Sequence, residues 1–185
     1  MTARENIPAA GDPTPENAGE PSADANPTPA DTAEERAWVS PEDLLSLMQL
    51  AADYWLRADG VRRLPVGELF ADSGVLVLGS LRLSGRNAIE SFFAQREAAQ
   101  QASGRVTRHV ATNHVATVIG PARARMRSTV LVFSGEGSLP LPSAPPSGIA
   151  DFQDICVRTA AAGWLFEERL GRSVFIGTGA PSFAR

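Results

Sequence analysis

The chain has 185 residues, with 21 acidic against 17 basic side chains and a formal charge of −4. That length suits one ordinary domain plus some extra sequence, and the lone Cys156 excludes an internal disulfide framework or a cysteine-rich metal site. Residues 1–38 hold eight acids and two arginines, a balance of −6 that leaves +2 for the rest, so broad nucleic-acid binding is not expected of the remainder.

Residues 1–38 are rich in Pro, Ala, Glu, Asp and Asn and poor in large apolar side chains. Too little apolar surface is available to offset the entropy of ordering, so a disordered acidic tail is predicted. The N-terminus lacks the apolar run of a signal peptide, and no stretch approaches the ~20 continuous apolar residues of a membrane span. A soluble, cytoplasmic protein is the expectation, with no membrane partner.

Ser40-Pro41-Glu42-Asp43 is a helix start: Ser as N-cap, Pro at the first helical position and acids in the first turn. The helix runs to about Ala58 with a broad apolar stripe that includes Leu44, Leu47, Leu50, Tyr54 and Trp55, and Gly60 stops it. Asp59 therefore stands at its end. A short helical piece near Pro65 leads into Phe70. Gly74 to Gly79 is too short and too β-branched for a helix and reads as a strand, with Ser80 to Ser84 as its hairpin partner. Gly85-Arg86-Asn87 opens a helix in which Ala88, Ile89, Phe92 and Phe93 share a face; it passes into the polar run Gln95–Ser103 and ends at Gly104.

Four longer strands are predicted at 106–119, 123–134, 149–159 and 163–174. In the second, Arg123, Arg125 and Arg127 alternate with Ala124, Met126 and Ser128, followed by Val130 and Val132, which separates a wet face from an apolar one. The linker from Gly135 to Gly148 carries Pro140, Pro142, Pro145 and Pro146 and does not pair as sheet. The order is α+β: a curved mixed or antiparallel sheet wrapped around a long N-terminal helix and two shorter helices. The domain is expected over 39–176, with a flexible C-terminal tail over 177–185.

The pieces Ala58-Asp59-Gly60, Leu83-Ser84-Gly85-Arg86-Asn87-Ala88-Ile89 and Arg108-His109-Val110-Ala111-Thr112-Asn113, with Gly163-Trp164 and Arg169 beyond, resemble the SnoaL-like branch of the nuclear-transport-factor-like (cystatin-like cone) superfamily. The resemblance covers roughly residues 40–175. It implies an α+β cone, and within the branch scytalone dehydratase and lindane dehydrochlorinase use a His held by an Asp as base. The local context places those roles on His109 and Asp59. Polyketide cyclases, limonene epoxide hydrolase and ketosteroid isomerase share the cone with other catalytic residues, so the fold by itself names no reaction. The chain has a single Tyr and lacks the second pocket His and paired phenols of scytalone dehydratase, which argues against that enzyme's own substrate.

An imidazole whose second nitrogen donates to a buried carboxylate has a fixed tautomer and a stabilised conjugate acid. Asp59 and His109 are the catalytic candidates on that ground; the bland alternatives are a capping or Arg62/Arg63-paired Asp59 and a His109 bonded to a core carbonyl. Tyr54 lies a helical turn and a residue before Asp59 and is read as a pocket donor or, more often for such a Tyr, a core ring with its hydroxyl at the rim. Trp55, Leu76, Met126, Val130 and Val132 are the predicted pocket lining, the alternative being plain core packing. His114, five residues beyond His109, is placed on the opposite face of the strand. No metal site and no cofactor are expected. Asp154 with Arg158 reads as a cross-strand ion pair, and Cys156 as a small buried apolar residue.

Two functions follow. The first is a cofactor-independent lyase or isomerase, dehydratase- or cyclase-like, acting on a small apolar cyclic molecule. The second is a non-catalytic ligand-binding or oligomerisation module of the same fold. A homodimer or homotrimer is expected in either case.

Overall fold

The computed structural model describes residues 37–177 together with Pro181 and Phe183. The acidic tail read over 1–38 thus lies outside the described residues except at Ala37 and Trp38, and the C-terminal tail except at Gly177, Pro181 and Phe183. Trp38 bridges Thr117, and the Val118 amide donates to the Ala37 carbonyl.

The first helix, α1 (Pro41–Ala58), starts on Ser40, whose side chain accepts from the Asp43 amide at 3.1 Å. Its buried stripe is Leu47, Leu50, Ala51, Tyr54, Trp55 and Ala58, one face at helical spacing. A single 3-10 turn, Val66–Leu69, enters β1 (Phe70–Leu78). The hairpin turns at Gly79, φ 56°, into β2 (Leu81–Ser84). Then follow α2 (Arg86–Ser103), β3 (Arg105–Gly120), β4 (Arg123–Glu136), β5 (Gly148–Thr159) and β6 (Gly163–Ile176).

The second helix is no shorter than the first: each spans 18 residues. The polar run Gln95–Ser103 consists largely of Gln, Ala, Arg and Glu, good helix formers, so nothing stops the helix before Gly104, whose φ of 66° closes it. Of the two shorter helices expected, one is therefore full length and the other a four-residue 3-10 turn.

One six-stranded sheet has the order β2-β1-β6-β5-β4-β3. Every pairing is antiparallel except β1 with β6. The helices cover its inner face over a core built from the α1 stripe with Phe70, Leu76, Ile89, Met126, Val130 and Phe166. No helix among the described residues is long and apolar enough to cross a membrane.

Candidate functional site

The end of α1 positions the first member of the site. Asp59 caps the helix with φ −89°, and Gly60, φ 66°, turns the chain away behind it. A carboxylate here faces the negative end of the helix dipole, an arrangement disfavoured by about 0.3–1 kcal/mol unless something else holds it. Three donors on β3 do so. Asp59 Oδ1 accepts from the Thr107 hydroxyl at 2.7 Å and meets His109 Nδ1 at 2.7 Å, while Oδ2 accepts the His109 backbone N–H at 2.8 Å. Burial opposes ionisation of this side chain, but the hydrogen bonds from His109 and Thr107 and the nearby imidazole outweigh it and hold the carboxyl below its ordinary range.

His109 lies on β3 opposite Val132 of β4. Its ring stacks on the indole of Trp55, centroids 4.2 Å apart and planes 15° from parallel. With Asp59 ionised, Nδ1 carries the proton shared with it, and in the neutral imidazole this tautomer leaves Nε2 as the accepting nitrogen. The side chain of Asp59 is 4% exposed and that of His109 11%, so the carboxylate is sealed behind the imidazole. His109 contributes to the wall of a cavity of about 640 Å³.

That cavity lies between α1, α2 and the sheet. Tyr54, Trp55 and Val132, all predicted to line it, do so, beside Phe92, Phe93 and Phe152. Leu76, Met126 and Val130 face inward on the same surface but are fully buried and lie away from the cavity. Period two puts every second β4 residue on the inner face, yet only the end level with His109 is left open, and the rest is filled by α1. Tyr54 packs edge-to-face against Trp55, Phe93 and Phe166, and burial pushes its phenol up to about 12 against the opposing charge of Arg169.

Two expectations are corrected. His114 does not face away from His109. A bulge between Thr112 and Val115, with Asn113 at φ 55°, sets two β3 residues against Ser128 and shifts the alternation, so that Ala116 beyond it is buried opposite Met126. His114 is brought to the inner side, where burial and then the charge of Arg169 lower its pKa. Asp154 does not pair with Arg158: it pairs with Arg169 at 3.0 Å, both side chains 0% exposed, because β5 and β6 set the two residues directly opposite. Burial raises the Asp154 carboxyl to about 6 despite that partner. Arg158 instead lies 4.7 Å over the Trp164 ring and pairs with Asp43, which also accepts the Trp164 indole N–H at 3.1 Å. Cys156 is buried and its thiol pushed well up by burial.

Sequence reading missed the polar wall. Arg96 and Gln100 of α2 reach the cavity, and Arg96 Nη2 donates to Thr107 Oγ1 at 3.3 Å while Nη1 donates to the Ala58 carbonyl. Arg96 thereby joins α2 to the two elements that carry Asp59 and His109. The available signal was the spacing of Phe92, Arg96, Ala99, Gln100 and Ser103, which puts polar groups on the same face as an aromatic. Among the described residues, no group of three or more His, Cys, Asp or Glu side chains is placed to hold a metal ion.

Solved structures with this fold include ActVI-ORFA from Streptomyces coelicolor, 16% identical over 74% of this chain and 98% of that one, with a TM-score of 0.63. A protein from Novosphingobium aromaticivorans provisionally assigned as a scytalone dehydratase is 18% identical over 77% of this chain and 100% of its own, TM-score 0.57. An NTF2-like protein with a cystatin-like fold from the same organism is 23% identical over 78% and 90%, TM-score 0.59. At such identities the likeness is one of fold. No match was found among curated proteins. The SnoaL-like domain family matches residues 40–170, which span every described element from α1 into β6. By that match the chain belongs to the SnoaL-like domain family.

Proposed function

We propose that this SnoaL-like protein is a cofactor-independent lyase or isomerase, of dehydratase or cyclase type, that removes a proton from a small, largely apolar cyclic substrate. The observation that carries the reading is the 2.7 Å contact between Asp59 and His109 Nδ1 at the wall of an apolar cavity. The provisional assignment of one structural neighbour as a dehydratase supports the same class.

In this reading the bare Nε2 of His109 takes a proton from carbon next to a carbonyl or a leaving group. The C–H electron pair forms a new double bond, either expelling the leaving group with its electrons or passing to the carbonyl oxygen as an enolate. The imidazolium that results is stabilised by Asp59 and returns its proton to the departing hydroxide or to another carbon of the substrate. A base placed this way contributes about 10²–10⁴ in rate. Trp55 fixes the ring plane, Tyr54 is the donor at the cavity wall, and the aromatic walls exclude water. We assign substrate contact to Tyr54, Trp55 and Val132, and a supporting shell to Leu76, Met126 and Val130. Assembly as a homodimer or homotrimer uses the outer sheet face in this proposal, where Val110 and Val115 are 50% and 43% exposed.

The test is hydrogen–deuterium exchange and elimination on a panel of cyclic hydroxyketones, followed by mass and by the absorbance of the product enone. His109→Ala and Asp59→Asn are each expected to abolish turnover while far-UV circular dichroism stays unchanged. Turnover retained in both variants would remove the proposal.

A further inference from the structure

Arg96 is a cation in an unusual position. Arg57, Arg62, Arg86, Arg123, Arg158 and Arg169 each have a carboxylate within ion-pair distance. Among the described residues Arg96 has none, although its side chain is sunk between α1, α2 and β3. Its hydrogen-bond acceptors, the Ala58 carbonyl and the Thr107 hydroxyl, fix its direction but are neutral, as is the Phe93 ring 5.9 Å from it. Asp59 acts on Arg96 through its charge, but both its oxygens are engaged by Thr107 and His109.

The cavity repeats this imbalance. Its described lining includes Arg96, Arg105 and His109, with Gln100 and Ser103 as further donors, and no Asp or Glu. Arg105 has Glu136 at 3.9 Å, so Arg96 is the lining guanidinium without a direct ion pair among the described residues. A partly buried guanidinium whose nearby carboxylate, Asp59, is engaged by other donors makes no direct ion pair, and an anion delivered into the cavity would give it charge-assisted hydrogen bonds. The remaining wall is mostly aromatic and aliphatic, with Gln95, Thr107, Ser147 and Ser173 as its other polar side chains. Burial lowers the Arg96 pKa, and the opposing charges of Tyr54 and Asp59 do not reverse the shift.

We infer that the cavity selects ligands made of an apolar ring bearing a carboxylate, with the carboxylate seated on Arg96 and the ring against Trp55 and Phe92. This rests on the proposed function for its location and deepens it, since it names the substrate class. Arg96 then sets specificity, holding the ring so that a neighbouring C–H faces His109.

Isothermal titration at neutral pH with 1-naphthoate and its uncharged isostere 1-naphthamide tests the inference without requiring turnover. The wild-type protein is expected to bind the carboxylate about tenfold or more tightly than the amide. Arg96→Met should bring the two to parity by weakening naphthoate alone, and Arg96→Lys should keep part of the preference. A preference that survives Arg96→Met, no preference in the wild type, or no binding of either probe would overturn the inference. Equal loss of both probes in Arg96→Met would also overturn it, showing a structural tie only. Failure of the base proposal reads out separately, as turnover that persists without His109.

Discussion

Asp59 meets three donors within 2.8 Å, and all three come from two residues of β3. Replacing it by Ala leaves the Thr107 hydroxyl and the His109 amide without their acceptor. The expected loss is about 2–4 kcal/mol in urea-induced unfolding, since each stranded buried group costs about 1–3 kcal/mol. Its pKa shift fixes the sign of a pH effect. The folded value lies below the ordinary 3.8, so the stabilisation is fully present above 3.8 and is lost as pH falls through the folded value. Asp154 has the opposite sign: its folded value of about 6 exceeds 3.8, so its contribution favours the native state below 3.8 and disappears as pH rises through about 6. Urea midpoints measured from pH 3 to 7 should therefore fall less steeply on acidification in Asp59→Asn, and more steeply in Asp154→Asn. At neutral pH, Asp154→Leu strands the Arg169 charge and should cost about 3–5 kcal/mol, whereas adding Arg169→Met should restore much of the loss in thermal unfolding.

At the scale of elements, β3 controls what faces the cavity. Thr107, His109 and Ala111 point inward on one side of the bulge, and Ala116 on the other. Asn113 takes φ 55°, which Asn and Gly tolerate and β-branched residues do not. Asn113→Gly is expected to be near neutral and Asn113→Val to cost about 1–2 kcal/mol in the same unfolding assay. Most element boundaries were legible because Gly60, Gly79, Gly104 and the Gly120-Pro121 pair punctuate a clear apolar period. The Asp59–His109 meeting was legible from a helix-end Asp and a strand His in a familiar context. The facing of His114 was not, because a bulge has no signature in an alternation count and a single residue in the left-handed region reverses everything beyond it. Arg96 stayed hidden for another reason. Apolar periodicity marks what a helix buries in protein, and the polar groups that α2 turns toward a cavity look the same in sequence as those turned toward water.

The described domain has a filled core and a hollow, with Leu76, Met126 and Val130 in the packed part and Val132, Trp55 and His109 at the open part. A ligand that enters only the native cavity stabilises it by mass action, about 2.7 kcal/mol at a hundredfold excess over Kd. A rise of several degrees in the unfolding temperature on adding an apolar ring carboxylate, absent in Arg96→Met, is the expected readout by differential scanning fluorimetry.

The strand that occurs last in the described sequence occupies an interior place in the sheet. β6 separates the β1–β2 hairpin from the β3–β4–β5 meander and is the parallel neighbour of β1. The native sheet is therefore complete only once Gly163–Ile176 is in place between the hairpin and the meander. A premature stop ahead of Gly163 would thus not trim a rim from the protein; it would leave two separate pieces of sheet whose open edges are free to pair with other chains.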